Sequence, residues 1–84
     1  MITRQYHGWL VDNDLIKRGD HTRIADICNE KKLLGINGGA VDRTYIQKVI
    51  VDGMEATAEI VEVIMDYYQS RQNMILKQKE IINA

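Results

Sequence analysis

VDRTYIQKVIVDG, residues 41–53, divides cleanly when wound into a helix. At about 100° per residue, Arg43, Thr44, Gln47 and Lys48 fall within an arc of about 140°. Tyr45, Ile46, Val49 and Ile50 occupy the opposite arc. Asp42 is a good N-cap, and Asp52-Gly53 supplies a stop. One face is therefore built for burial. The other presents two cations, a hydroxyl and an amide, with no acid between Arg43 and Lys48. Such a face is either simply solvated or made to touch something.

The residue types are those that read base edges. Arg gives a bidentate pair of hydrogen bonds to guanine, and Gln does the same to adenine. Thr bonds either kind of edge or touches a thymine methyl, while Lys reaches guanine or a phosphate. Positions i, i+1, i+4 and i+5 near a helix N-terminus are those a helix in the major groove uses.

The rest of the composition limits the alternatives. Eighty-four residues bury one core. The chain is 45% apolar and 6% aromatic, with no Phe and no Pro, which suits a compact all-α protein. Net charge is −1, but it is uneven. Residues 1–50 hold eight Lys/Arg against six Asp/Glu, and residues 51–84 hold three against six, so the halves carry +2 and −3. Asymmetry of this kind can give one basic face. The single Cys28 has no partner for an internal disulfide, and no run is apolar enough for a membrane span or signal peptide. The expectation is a soluble, cytoplasmic chain.

Periodicity predicts four or five short helices. The first runs from about Thr3, as N-cap, through RQYHGWLVDNDLIKRG, with Tyr6, Trp9, Leu10 and Ile16 as its apolar stripe. Lys17 and Arg18 then sit in its last turn and Gly19 ends it. Asp20 caps a second helix over HTRIADICNEKK, which turns Ile24, Ile27, Cys28 and, near its end, Leu34 inward. LLGINGGAV forms a turn or short loop rich in positions for positive φ. A last helix starts near Thr57, with Glu59 and Glu62 where the helix dipole favours acids. It either continues through QSRQNMILKQKEIINA or breaks around Asn73.

Ile24-Ala25, a glycine-containing turn and then VDRTYIQKVIVDG together resemble the helix-turn-helix of the lambda-repressor-like (Cro/repressor-type) DNA-binding domains. The resemblance covers roughly residues 3–68. It implies a helix-turn-helix domain over 1–68 and leaves 69–84 as a C-terminal helical extension. By it Ala25 lets the two motif helices approach, and Arg43, Thr44, Gln47 and Lys48 become base- or backbone-contacting residues. One feature departs from the family: NEKKLLGINGGA lengthens the connection between the motif helices by some ten residues.

Phosphate contacts are then expected from His21, Arg23, Lys31 and Lys32. Gly38 and Gly39 are either a plain flexible turn or backbone N–H donors to a phosphate. The last helix carries more apolar surface than one small core needs, and helix-turn-helix proteins usually bind as two-fold dimers. Tyr67, Met74, Ile75 and Ile81 are the expected homodimer contacts, unless the helix packs back on its own domain. His7 and His21 lack further ligands at metal-binding spacing, and Cys28 reads as a buried apolar residue rather than a nucleophile. No metal, cofactor, small-molecule substrate or membrane is expected, and no enzyme. The reading is a small repressor of sequence-specific, double-stranded DNA-binding type, phage- or mobile-element-borne. Its rival is a helical protein-interaction module, antitoxin-like or a phage accessory protein, that does not read DNA.

Overall fold

The computed structural model describes residues 4–83, and side chains over residues 6–78. Within them the chain is all-α: α1 Arg4–Asp12, α2 Asp20–Glu30, α3 Arg43–Val51 and α4 Ala58–Asn83. α2 packs against both α3 and α4, and α1 packs against α3. Ile24, Ile46, Ile50, Ile60, Ile64 and Tyr68 are fully buried where these helices meet. Each such aliphatic side chain contributes about 1.5–3 kcal/mol of burial. Leu10, Leu15 and Val41 close the same core from α1 and the connections.

The first helix stops at Asp12 instead of running to Gly19. Asp14 takes a left-handed conformation at φ 52°. Its N–H donates to the Val11 carbonyl at 3.0 Å, and the Leu15 N–H donates to the Leu10 carbonyl at 3.0 Å. This is a Schellman turn, closed by contact between two buried leucines. Asn13 adds a side-chain bond to the Trp9 carbonyl at 2.8 Å. Periodicity missed the break because Leu15 and Ile16 fit a continued stripe equally well. Trp9, expected inside, is 37% exposed and stacks on Tyr6, with ring centres 5.9 Å apart.

Gly19 then opens α2 rather than closing α1, at φ 89°, where any side chain would strain the backbone. Asp20, expected as a cap, is the first helical residue and is only 1% exposed. A second Schellman turn, with Lys32 left-handed at φ 59°, ends α2. It brings Leu33, whose N–H reaches the Cys28 carbonyl at 2.9 Å, against the core. Leu34, expected inward, is consequently turned out, 56% exposed.

The connection from Lys31 to Asp42 is ordered by local bonds. Gly35 N–H donates to the Gly39 carbonyl, and Gly38 N–H donates to the Gly35 carbonyl, both at 2.8 Å. The Tyr45 ring lies on Gly35 so closely that a Cβ there would meet it at 3.1 Å. Asn29 Nδ2 donates to the Val41 carbonyl at 3.1 Å and ties the end of the connection to α2. Asp42 caps α3, accepting from the Tyr45 N–H at 2.8 Å.

Thr57 Oγ1 accepts from the Ile60 N–H at 3.4 Å at the head of α4. The helix passes Asn73 without a break. Gln69 Nε2 donates to Gln72 Oε1 and to Asn73 Oδ1, each at 3.3 Å, and these i,i+3 and i,i+4 pairs support the polar stretch. Among the described residues no helix is long and apolar enough to cross a membrane.

Candidate nucleic-acid interface

α3 displays the division read from its sequence. Ile46, Val49 and Ile50 are completely buried, while Arg43, Thr44, Gln47 and Lys48 are all exposed. Val51, which sequence reading did not single out, is 38% exposed. At about 100° per residue it falls inside the same arc as the four polar residues and adds a methyl surface to it.

Two grooves flank this face. On one side a groove of about 590 Å³ runs between α3 and the head of α2, lined by Lys17, Arg18, His21, Thr22, Arg43 and Gln47. No carboxylate lines it. Lys17 and Arg18 reach it because α1 ends early, leaving them in the turn before α2, where the Asp20 N–H donates to the Lys17 carbonyl at 3.3 Å. The helix-end role expected for them from sequence is therefore corrected. Burial pushes the His21 pKa down, and Arg43 and His7 push the same way, against the attraction of Asp20.

On the other side lies a depression of about 470 Å³ between α3 and the glycine turn. Its walls include Ile36, Asn37, Thr44, Tyr45, Lys48 and Glu55. Gly39 also lines it, whereas Gly38, at φ 81°, sits exposed at the turn. Thr44 and Lys48 thus face the turn, and Arg43 and Gln47 face α2. The four remain one continuous exposed surface.

The expected phosphate residues do not form one set. His21 joins Arg43 and Gln47, as described. Arg23 lines a different groove, between α2 and α4, and Lys31 a third one with Val63 and Asp66. The reason is helical geometry: His21 and Arg23 are two residues apart, about 200° around α2, so they face opposite flanks. Lys32 is exposed in the turn after α2.

The strongest polar feature of the molecule was invisible in the sequence. Asp20 accepts two hydrogen bonds from Arg71, at 2.6 and 2.8 Å. It also accepts one from the Lys17 N–H at 2.8 Å and one from the Tyr67 hydroxyl at 3.0 Å. Arg71 further donates to the Leu15 carbonyl at 2.7 Å and lies over the Tyr67 ring at 5.0 Å. Burial alone would raise the Asp20 pKa, but the bonds from Arg71, Lys17 and Tyr67 outweigh it and hold it below the usual carboxylate range. Tyr68 lies edge-on to Tyr67, its hydroxyl near Asp20 but outside hydrogen-bonding geometry and buried without a partner. No spacing rule links residue 20 to residue 71. Only the fold does.

Of the expected dimer contacts, Tyr67 spends its hydroxyl on Asp20, Ile75 packs partly against the core, and Met74 is 62% exposed. The side chain of Ile81 lies outside the described residues. Cys28 is buried, and burial pushes its thiol pKa up, away from the thiolate a nucleophile needs. Among the described residues no cluster of three or more His, Cys, Asp or Glu has metal-binding geometry. Comparison with known proteins finds no matching family model, no matching curated protein and no matching solved structure.

Proposed function

We propose that this chain is a sequence-specific, double-stranded DNA-binding transcriptional regulator, a small repressor that acts by occupancy. In this reading α2 and α3 work as a lambda-repressor-like helix-turn-helix with a lengthened connection. α3 enters the major groove with Arg43, Thr44, Gln47 and Lys48 toward base edges. The carboxylate-free groove beside it takes a phosphate on Lys17, Arg18 and His21. The single observation that carries the reading is this acid-free exposed face of α3, continuous with that groove.

Selection from a random DNA duplex pool tests it, with the wild type and an Arg43→Ala/Gln47→Ala variant in parallel. Enrichment of one motif by the wild type, lost or altered in the variant, is the expected outcome. A palindromic motif would additionally support a homodimer. Failure to retain any duplex at low salt would retire the reading.

A second reading, a helical protein-interaction module that does not read DNA, is favoured by exposed Met65, Met74 and Leu76 on α4. Salt separates the two. Phosphate contacts make affinity fall steeply between 50 and 200 mM salt, by about tenfold or more for a few contacts, while an apolar protein interface changes little.

A further inference from the structure

A groove of about 430 Å³ lies between α2 and the distal half of α4, on the flank of α2 away from His21. Its apolar part is Tyr67, Met74 and Ile75, and Lys17, Arg23 and Arg71 border it. Arg71 turns inward, and its charge is matched by buried Asp20. The surplus positive charge therefore comes from Lys17 and Arg23. Outside the pair, Asp14, 91% exposed, lies 3.4 Å from Lys17, and neither it nor Asp26, three residues beyond Arg23 on α2, is part of the lining. A solvated pair of this kind holds Lys17 only weakly.

Three classes of occupant differ in how they meet this surface. A DNA backbone would match the cations but leave Met74 and Ile75 uncovered, and the groove faces away from α3. A second copy, docked groove to groove by a two-fold axis, would bring a second set of the same cations to the interface. Residues 67–78 of α4 hold no Asp or Glu to answer them. A segment carrying both carboxylates and apolar side chains satisfies rim and floor together.

We propose that the α2–α4 groove is a docking site for an acidic, apolar segment of a different protein. The partner's aliphatic or aromatic side chains cover Met74 and Ile75, and its carboxylates pair with Arg23 and Lys17. Lys17 lines both this groove and the one beside α3, so occupants of the two would share that cation, while Arg23, Met74 and Ile75 belong to this groove alone and serve it whether or not α3 reads DNA.

Display of random 12-residue peptides against the full chain tests this, with Arg23→Glu and Met74→Asp selected in parallel. Both positions are exposed, so neither change touches the core. The expected winners combine Asp or Glu with Leu, Ile or Phe. A labelled winner, followed by fluorescence anisotropy, should lose about tenfold or more in affinity with either variant, the scale of a central interface residue. The same peptide should bind Arg43→Ala unchanged, so its behaviour is independent of the DNA reading. The Arg23→Glu chain should instead enrich Lys- or Arg-bearing peptides. No enrichment, winners without acids, or affinity retained by both variants would overturn the proposal. So would self-association in sedimentation that disappears with Arg23→Glu, which would assign the groove to a second copy. Loss of duplex binding by Arg23→Glu without any peptide binding would assign it to DNA.

Discussion

Two groups of charges sit at the two flanks of α2, and they are opposites. On the α4 side, Asp20 is shut away from water, Arg71 is mostly covered, and both are nearly saturated with hydrogen bonds. On the α3 side, Arg43 and Lys48 stand exposed, and among the described residues the ion pairs are Lys17–Asp14 and Arg71–Asp20, so neither is paired there. A buried charge is explained by its partner. Arg43 lines a groove without a carboxylate, whereas Lys48 shares its depression with Asp42 and Glu55, so Arg43 is the cation with least account within the chain. The first group is tied into the fold, and the second is the one the proposed DNA contact uses.

The sharpest way to break this contrast is to remove one member of the buried pair. Arg71→Met should destabilise the protein by about 3–5 kcal/mol, because it strands a buried carboxylate. Urea unfolding measures it, and a loss under about 1 kcal/mol, the level of a solvated pair, would show that Asp20 is not effectively buried. Arg71→Lys should recover only part of the loss, since an ammonium cannot reproduce the two-pronged bond.

The pH dependence follows from the same group. The folded Asp20 pKa lies below its unfolded value of about 3.9, so its contribution is fully present above that pH. It is lost as pH falls through the folded value. Urea midpoints for wild type and Asp20→Asn, measured from pH 7 down to pH 2.5, should converge below about pH 4. Parallel curves over that range would contradict the assignment.

Asp42→Ala removes the cap of α3 and should cost about 0.5–2 kcal/mol. At the small end, Arg43→Ala and Gln47→Ala should each change stability by no more than about 0.5 kcal/mol, as exposed positions do. A larger thermal shift in either would mean that the outer face of α3 is structural, and the contrast would fail.

The legibility of the fold followed the same line. α3 was readable in full because its apolar pattern, its cap at Asp42 and its stop at Gly53 are all local. The end of α1 was not, since Leu15 continues the helical stripe yet closes a turn against Leu10. Lys17 and Arg18 joined the candidate interface only as a consequence of that turn. Arg23 and Lys31 were grouped with His21 by charge alone, whereas Arg23 faces the other flank of α2, about 200° around, and Lys31 lies at the far end of that helix.

By itself the sequence determined the all-α class, the two-faced α3 and most of the core, because helical periodicity, capping and burial act over a few residues. Tertiary structure alone decided that Asp20 meets Arg71, that Arg43 and His21 share a groove, and that Arg23 lies with Met74. These are meetings of residues from different helices. They depend on where each helix ends and how it is rotated when the core closes, and no local pattern encodes that.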